Sequence, residues 1–173
     1  MKSVNHDRQE TAEQGRSRSR RDKTMIEVCR IIPTTAERIF AVLANGWSYA
    51  SWVVGAAHMR AVDDGWPAVG TRVHHRIGPW PLHIDDRTVV RRMEPERLLE
   101  LDAHAGPLGV ARVRLTLEPI SATTTRIRMG WTTVTGLAHF IPKATLAPIL
   151  RLRNAETLHR VEDLAMHRQL PTT

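Results

Sequence analysis

The chain has 173 residues and a formal net charge of +7, a length that suits one domain with a single core and is too short for two domains of ordinary size. No run approaches the roughly 20 apolar residues that a membrane-spanning helix needs, and the N-terminus carries charges where a signal peptide would need an apolar stretch. The sequence therefore predicts a cytoplasmic protein without a transmembrane segment.

Much of the positive charge lies in an N-terminal tail. Arginine and lysine alternate with serine between Arg16 and Lys23, and no apolar periodicity begins before Met25. Such a segment cannot bury enough surface to fold, so residues 1–24 are predicted to be a disordered basic tail. The tail either keeps the protein soluble or acts as an electrostatic arm for RNA, DNA or anionic lipid. The first interpretation is favoured, and nucleic acid is not the expected partner of the folded part.

The folded part begins with a predicted strand at residues 25–32. This run is rich in β-branched residues and ends before Pro33, as strands commonly do. It contains the single cysteine, Cys29, which excludes an intramolecular disulfide. An apolar strand context predicts that this thiol is buried and unreactive.

Two short helices are predicted next. Thr34 and Glu37 have the spacing of a capping box, so a helix of about ten residues follows them. Ser48 can cap a second short helix, which is predicted to end at Gly55. Two consecutive short helices after one strand fit a V-shaped pair better than a βαβ crossover.

Six further strand signals follow at steady spacing, separated by short turns. Successive hairpins with short connections predict an antiparallel sheet. Residues 118–124 are predicted to be a turn region. Arginines at positions 112, 114, 126 and 128 alternate with apolar residues, which is typical of the solvated face of a sheet. The predicted strands are 57–63, 71–77, 82–92, 98–104, 110–117 and 126–134.

The last predicted element is a helix over residues 145–167. Its apolar residues recur at the three-and-four spacing of one helix face, and Asn154 and Thr157 fall on the same stripe. A helix of this length spans about 30 Å, so a sheet that wraps it is the simplest way to bury the stripe. A buried amide needs a hydrogen-bond partner, which is a first indication of a cavity. The apolar members of the stripe are Leu146, Leu150, Leu158, Val161, Leu164 and Ala165.

The order β-α-α-β₆-α predicts an α+β domain with the sheet curled round the terminal helix. Together with the segments 52–55, 70–72 and 153–158, this order resembles the START-like superfamily, and more narrowly its SRPBCC polyketide cyclase/dehydrase-like group. The resemblance covers residues 25–168 and leaves 169–173 as a C-terminal tail. It implies the helix-grip fold, a curved antiparallel sheet around a long C-terminal helix, with a deep pocket for a small apolar or amphipathic molecule. It does not imply one reaction.

The hairpin around residues 78–81 places chemistry-bearing residues on one face. If these four residues form the loop, Ile77 pairs with Leu82 and His75 with Ile84. His75 and Asp86 then become diagonal neighbours on the face that is turned to the helix. The residues that share this face are Val73, His75, Ile77, Leu82, Ile84, Asp86 and Thr88.

A His75–Asp86 pair inside an apolar pocket could transfer protons, because the carboxylate fixes the tautomer of an imidazole with a near-neutral pKa. A cyclase or dehydratase would use it as a general base, with Asn154 or Thr157 binding a carbonyl oxygen. The alternative is that the two side chains satisfy each other in a partly polar core. A register slip of one residue would place His74 and Asp85 on this face instead.

No metal or other cofactor is predicted. Several histidines and aspartates lie close together in the sequence, but the assumed pairing places His74 opposite Asp85 and His83 opposite Arg76 on the outer face. An arginine there opposes a cation, and no spacing typical of a zinc site is present.

The favoured function is therefore the binding of a small apolar or amphipathic molecule, by a monomer or a homodimer. A cyclase-like or dehydratase-like enzyme using His75 and Asp86, and a regulatory or nucleic-acid-associated protein using the basic tail, are the alternatives. The predicted ligand-binding residues are Trp52, Ile77, Thr88, Leu101, Trp131, Asn154, Thr157 and Leu158.

Overall fold

A computed structural model describes residues 25–77, 84–104, 106, 109–136 and 142–167. The basic tail, the tip of the hairpin after residue 77 and the predicted C-terminal tail lie outside the described residues. The elements in chain order are β1 (Ile26–Ile32), α1 (Ala36–Leu43), a 3₁₀ turn (Gly46–Ser48), α2 (Tyr49–Trp52), β2 (Ala56–Val62), β3 (Arg72–Ile77), β4 (Ile84–Glu94), β5 (Leu98–His104), β6 (Val110–Ser121), β7 (Thr124–Thr135) and α3 (Lys143–His167).

The seven strands form one antiparallel sheet in the order β1-β7-β6-β5-β4-β3-β2. Helix α3 packs against β1, α1 and α2, and Arg30 of β1 forms an ion pair with Glu162 of α3. The main apolar core joins residues of the strands, α1, α2 and α3. The predicted α+β helix-grip architecture is confirmed. None of the helices in the described part is long and apolar enough to span a membrane.

The stripe predicted on α3 faces the core. Asn154, Thr157, Leu158, Val161 and Ala165 are all buried, while the two leucines at positions 146 and 164 are only half-buried. The helix begins at Lys143, two residues before the predicted start, and accommodates Pro148 in its first turns. As the sixth residue of the helix, Pro148 lies beyond the first turn and lacks the amide that would bond to the carbonyl of Ala144, so one intrahelical hydrogen bond is missing there.

The helix pair is capped differently from the prediction. The cap of α1 is Thr35, whose side chain accepts a hydrogen bond from the amide of Arg38, whereas the carbonyl of Thr34 accepts one from the Thr125 hydroxyl at 2.9 Å. Ser48 does not cap α2 through its side chain. Its hydroxyl donates instead to two preceding carbonyls, and α2 ends at Trp52.

The prediction that Cys29 is buried is wrong, because its side chain is exposed. In β1 the core-facing residues are Ile26 and Ile32, and the odd-numbered residues between them face outward. Ile31 is accordingly 55% exposed. The charged residues Glu27 and Arg30 fall on opposite faces of this strand, so the sequence of the run does not reveal which alternate residues face the core.

The β3–β4 pairing differs from the predicted register by two residues. Ile77 lies opposite Ile84 and His75 lies directly opposite Asp86, whereas the prediction paired Ile77 with Leu82 and His75 with Ile84. Side chains alternate with a period of two, so this shift leaves every residue on its predicted face. The expected opposition of His74 and Asp85 is wrong: His74 lies opposite Arg87.

The predicted turn over residues 118–124 is also wrong. Strands β6 and β7 continue to Ser121 and from Thr124, with a bulge near Pro119. On the outer face, Arg112 binds Asp102 through two hydrogen bonds of 2.8 and 3.1 Å. The predicted arginine face is therefore a set of ion pairs that cover the sheet.

Candidate functional site

A cluster of polar side chains lies inside the protein, between the concave face of the sheet, α2 and α3. His75, Thr88, Asn154 and Thr157 are each at most 2% exposed, and Asp86 is 9% exposed. They come from β3, β4 and α3, so only the folded chain brings them to one region. Polar groups at such burial need partners, because water is excluded.

His75 and Asp86 form the pair that the sequence predicted. The Nε2 atom of His75 is 3.5 Å from Oδ2 of Asp86, and the other carboxylate oxygen accepts a hydrogen bond of 2.6 Å from the backbone amide of Arg87. Cross-strand neighbours bring the two side chains together. With a proton on Nε2, the carboxylate would hold the imidazole in the tautomer whose Nδ1 lone pair is free.

Tyr49 belongs to this cluster and was missed by the sequence reasoning. Its hydroxyl lies 2.9 Å from the Thr88 hydroxyl, and its ring contacts those of Trp52 and His75 at centroid distances of 5.0 Å. Burial, opposed by the Thr88 hydrogen bond and by Arg153 and assisted by Asp86, raises the pKa of Tyr49 to about 12. The phenol is therefore neutral at physiological pH. The sequence signal that could have identified Tyr49 as a member of the cluster is its spacing of three residues from Trp52.

Arg153 was also missed, although it lies in the segment that carried the family resemblance. Its Nε donates a hydrogen bond of 2.8 Å to the carbonyl of Val54, and the Val54 amide donates one of 3.4 Å to the Thr157 hydroxyl. Desolvation lowers the pKa of Arg153, and the nearby Tyr49 opposes that shift. These bonds fix α3 to the end of the helix pair.

Three residues in and beside the cluster have buried polar atoms without a hydrogen-bond partner among the residues that the structure describes. They are the indole Nε1 of Trp52, the Nδ1 of His75, and both the nitrogen and the oxygen of the Asn154 side-chain amide. Asn154 is wholly buried. Unpartnered buried donors and acceptors are uncommon in folded proteins, so their presence on α2, β3 and α3 marks this interior as the candidate site.

The remaining predicted residues occupy different surroundings. Leu101 and Leu158 are each 1% exposed and belong to the apolar core. Trp131 is half-buried and packs against that core. The backbone of Ile77 pairs with Ala56 and Ile84, and its side chain lies outside the described part. Thr88 is occupied by its bond to Tyr49.

A cavity of about 500 Å³ lies beside the buried cluster, at the end of β5. Among its described lining residues, Asp86 is the one that the sequence predicted as a site residue. No group of three or more histidine, cysteine, aspartate and glutamate residues able to hold a metal ion occurs among the described residues. The cavity is lined by Arg60, His74, Asp86, Arg87, His104, Gly106, Gly109, Val110 and Thr135.

The sheet wrapped round a C-terminal helix is the helix-grip fold, as the resemblance in sequence implied. No family model and no curated protein sequence matches the chain. Solved structures with this fold align with most of the chain. Norcoclaurine synthase from Thalictrum flavum has a TM-score of 0.64 at 13% identity, covering 84% of this chain and 95% of its own.

Two further solved structures have the same fold. The ZhuI aromatase/cyclase from Streptomyces sp. R1128 has a TM-score of 0.63 at 14% identity, covering 83% of this chain and 94% of its own. The protein MLL2253 from Mesorhizobium loti has a TM-score of 0.60 at 18% identity, covering 84% of this chain and 99% of its own. At such identities the likeness establishes the fold, and it does not establish a reaction.

Proposed function

We propose that the protein binds a small amphipathic molecule between the concave face of the sheet and α3. The observation that carries the proposal is the wholly buried Asn154 amide, which has no hydrogen-bond partner in the described part of the chain on either its nitrogen or its oxygen. Each buried unpartnered polar group costs about 1 to 3 kcal/mol. A ligand with a donor and an acceptor would satisfy both amide atoms.

The surrounding groups define the chemistry of that molecule. The indole of Trp52 and the amide nitrogen of Asn154 are donors, so together they suit a carbonyl or hydroxyl oxygen. Buried apolar residues such as Leu101 and Leu158 suit a hydrocarbon or aromatic body. Burial of that body would supply about 25 cal/mol per Å², and the few polar groups would fix its orientation.

Two measurements test the binding proposal. Native mass spectrometry of the protein purified from its own host should show a co-purified small molecule that denaturation releases. The neutral fluorescent probe N-phenyl-1-naphthylamine should bind the folded full chain saturably at one site, and binding should disappear in urea. A folded protein that carries no small molecule and binds the probe without saturation would contradict the proposal.

A second candidate function is proton transfer at a carbon next to a carbonyl group. It is favoured by the orientation of His75, whose Nε2 is directed to Asp86 and whose Nδ1 is buried without a partner. In this step Nδ1 takes the proton, the C–H electron pair forms the enolate double bond, and the carbonyl oxygen takes the negative charge. The Asn154 amide nitrogen would donate to that oxygen. The proton then returns to carbon or leaves to solvent.

Deuterium exchange at the α-carbon of 2-tetralone, followed by NMR, tests this step. The wild-type protein should accelerate exchange, and His75→Ala should reduce the acceleration about 100-fold or more, since a positioned base contributes about 10²-fold to 10⁴-fold. Binding of the naphthylamine probe should persist in this variant. The control is His159→Ala, which changes an exposed histidine on α3. Equal exchange in wild type and His75→Ala would exclude the catalytic role and leave the binding proposal intact.

A further inference from the structure

The cavity at the end of β5 carries an uneven set of charges. Of the lining residues that the structure describes, two are arginines, two are histidines and one, Asp86, carries a carboxylate. Its volume of about 500 Å³ lies within the range of about 300 to 1,000 Å³ that is typical of small-molecule sites. The lining is therefore basic and of a size to hold part of a ligand.

The carboxylate of Asp86 has neighbours on both of its oxygens. One of its oxygens accepts the Arg87 amide proton and the other lies beside His75. The guanidinium of Arg87 is exposed and forms no ion pair with any residue that the structure describes. His74 lies 3.5 Å from Asp63. Arg87 thus presents a full positive charge to the cavity.

The cavity lies at the edge where the described β4–β5 pairing begins. That pairing starts at Thr88 and Ala103, and residues 84–87 of β4 precede it. Asp86 lines the cavity and also contacts His75 of the buried cluster. A molecule placed across this edge could contact Arg87 with one end and the buried cluster with the other.

We propose that the ligand is an amphipathic anion, whose carboxylate, phosphate or sulfonate group binds Arg87 and Arg60 in this cavity while its apolar body passes Asp86 toward the buried cluster. The proposal rests on the proposed binding function and adds the ligand's charge class and orientation. Arginine suits such groups, because its planar fork of donors matches their oxygens.

Two probes that differ only in charge test the proposal on the full chain. Anilinonaphthalene sulfonate carries a sulfonate that N-phenyl-1-naphthylamine lacks. The sulfonate should bind more tightly than the neutral probe, and raising the salt concentration should weaken its binding alone. If the neutral probe fails to bind, the binding function itself fails. If both probes bind equally and with equal salt response, only the anionic preference fails.

Substitutions at Arg87 localise the preference. Arg87→Gln should weaken sulfonate binding about fivefold and Arg87→Glu by more, while Arg87→Lys should retain most of it and the neutral probe should be unaffected. The control is Arg91→Gln on the same strand, which removes the same charge about 13 Å away, beyond the screening length of about 10 Å. Equal loss in the control and in Arg87→Gln would overturn the assignment, because net charge would then explain the effect.

A third comparison separates an amphipathic anion from a free anion. Decanoate should displace the naphthylamine probe at a lower concentration than 1-decanol, which has the same chain and a neutral head. Inorganic phosphate should displace neither probe at millimolar concentration. Displacement of the sulfonate by phosphate but not by decanoate would overturn the proposal, because the site would then recognise the charge without the apolar body.

Discussion

Replacement of Asn154 by leucine tests the interpretation of the buried cluster most directly. Leucine has the same branching as asparagine and lacks both polar atoms. Asn154 is wholly buried on α3, and neither of its amide atoms has a hydrogen-bond partner among the described residues. If those atoms face the space for a ligand, Asn154→Leu removes a desolvation cost from the empty protein and also removes contacts that the ligand would use.

The expected magnitudes follow from the burial. Removing an unsatisfied buried amide should raise the free energy of unfolding of the ligand-free protein by about 1 to 2 kcal/mol. For a domain of this size each kcal/mol corresponds to about 2 to 4 °C in the melting temperature. The affinity for a hydroxyl-bearing probe should fall about fivefold to tenfold relative to its hydrocarbon analogue, because about 1 to 1.4 kcal/mol of hydrogen bonding is lost.

Urea unfolding gives the first quantity, and fluorescence titrations with 2-naphthol and naphthalene give the second. The matched control is Thr125→Val, another buried polar residue replaced by an apolar one of the same shape. Its hydroxyl donates to the Thr34 carbonyl at 2.9 Å, so the control should destabilise the protein by about 1 to 2 kcal/mol. The preference for 2-naphthol should be unchanged in the control.

The two substitutions should therefore change stability in opposite directions. The reasoning is refuted if Asn154→Leu destabilises the protein as much as the control does and leaves the preference for 2-naphthol unchanged. The amide would then be a structural part of the core that is satisfied without a ligand.

Three further predictions concern the folded chain itself. Tyr49 is the single tyrosine, so its absorbance at high pH should titrate near 12 in the folded protein and near 10 in urea. Because the pKa is higher in the folded protein, the free energy of unfolding should be at its full value below pH 10 and fall by about 3 kcal/mol as the pH rises through 12. A midpoint at pH 10 in the folded protein would contradict the burial argument. Asp102→Asn should lower the free energy of unfolding in urea by about 1 to 3 kcal/mol, because Asp102 is buried and accepts two hydrogen bonds from Arg112. The control Glu118→Gln changes an exposed carboxylate and should lower it by less than about 1 kcal/mol. Equal effects would contradict the role of burial. Gly109→Ala should lower the melting temperature by several degrees, because the backbone angle φ is +103° and a Cβ atom would lie 1.8 Å from the carbonyl oxygen of Thr135. An unchanged melting temperature would contradict this prediction.

The features that the sequence predicted well are those that depend on periodicity. The α3 stripe repeats over more than 20 residues, so its phase is well determined and Asn154 and Thr157 could be placed in the interior. The inner face of β3 and β4 was also predicted, because an even shift in register does not change which residues face inward. The predicted functional roles of these residues stay predictions.

The features that were predicted wrongly depend on chain geometry that periodicity does not report. The β3–β4 register is shifted by two residues from the prediction, and Cys29 is exposed in a strand whose charged residues, Glu27 and Arg30, fall on opposite faces. The cap of α1 is Thr35 and not Thr34, whose backbone carbonyl accepts a hydrogen bond from β7. For this cap, a contact distant in sequence chose between two neighbouring threonines.

The sequence by itself determined the order of elements, the helix that the sheet encloses and the face on which His75 and Asp86 lie, because alternation and helical spacing act over neighbouring residues. Only the tertiary structure decided that Tyr49 and Arg153 join the buried cluster, and that Arg60 and Arg87 flank one cavity with Asp86. These residues are brought together by the packing of α2 and α3 and by the ends of strands, whose positions depend on the whole fold.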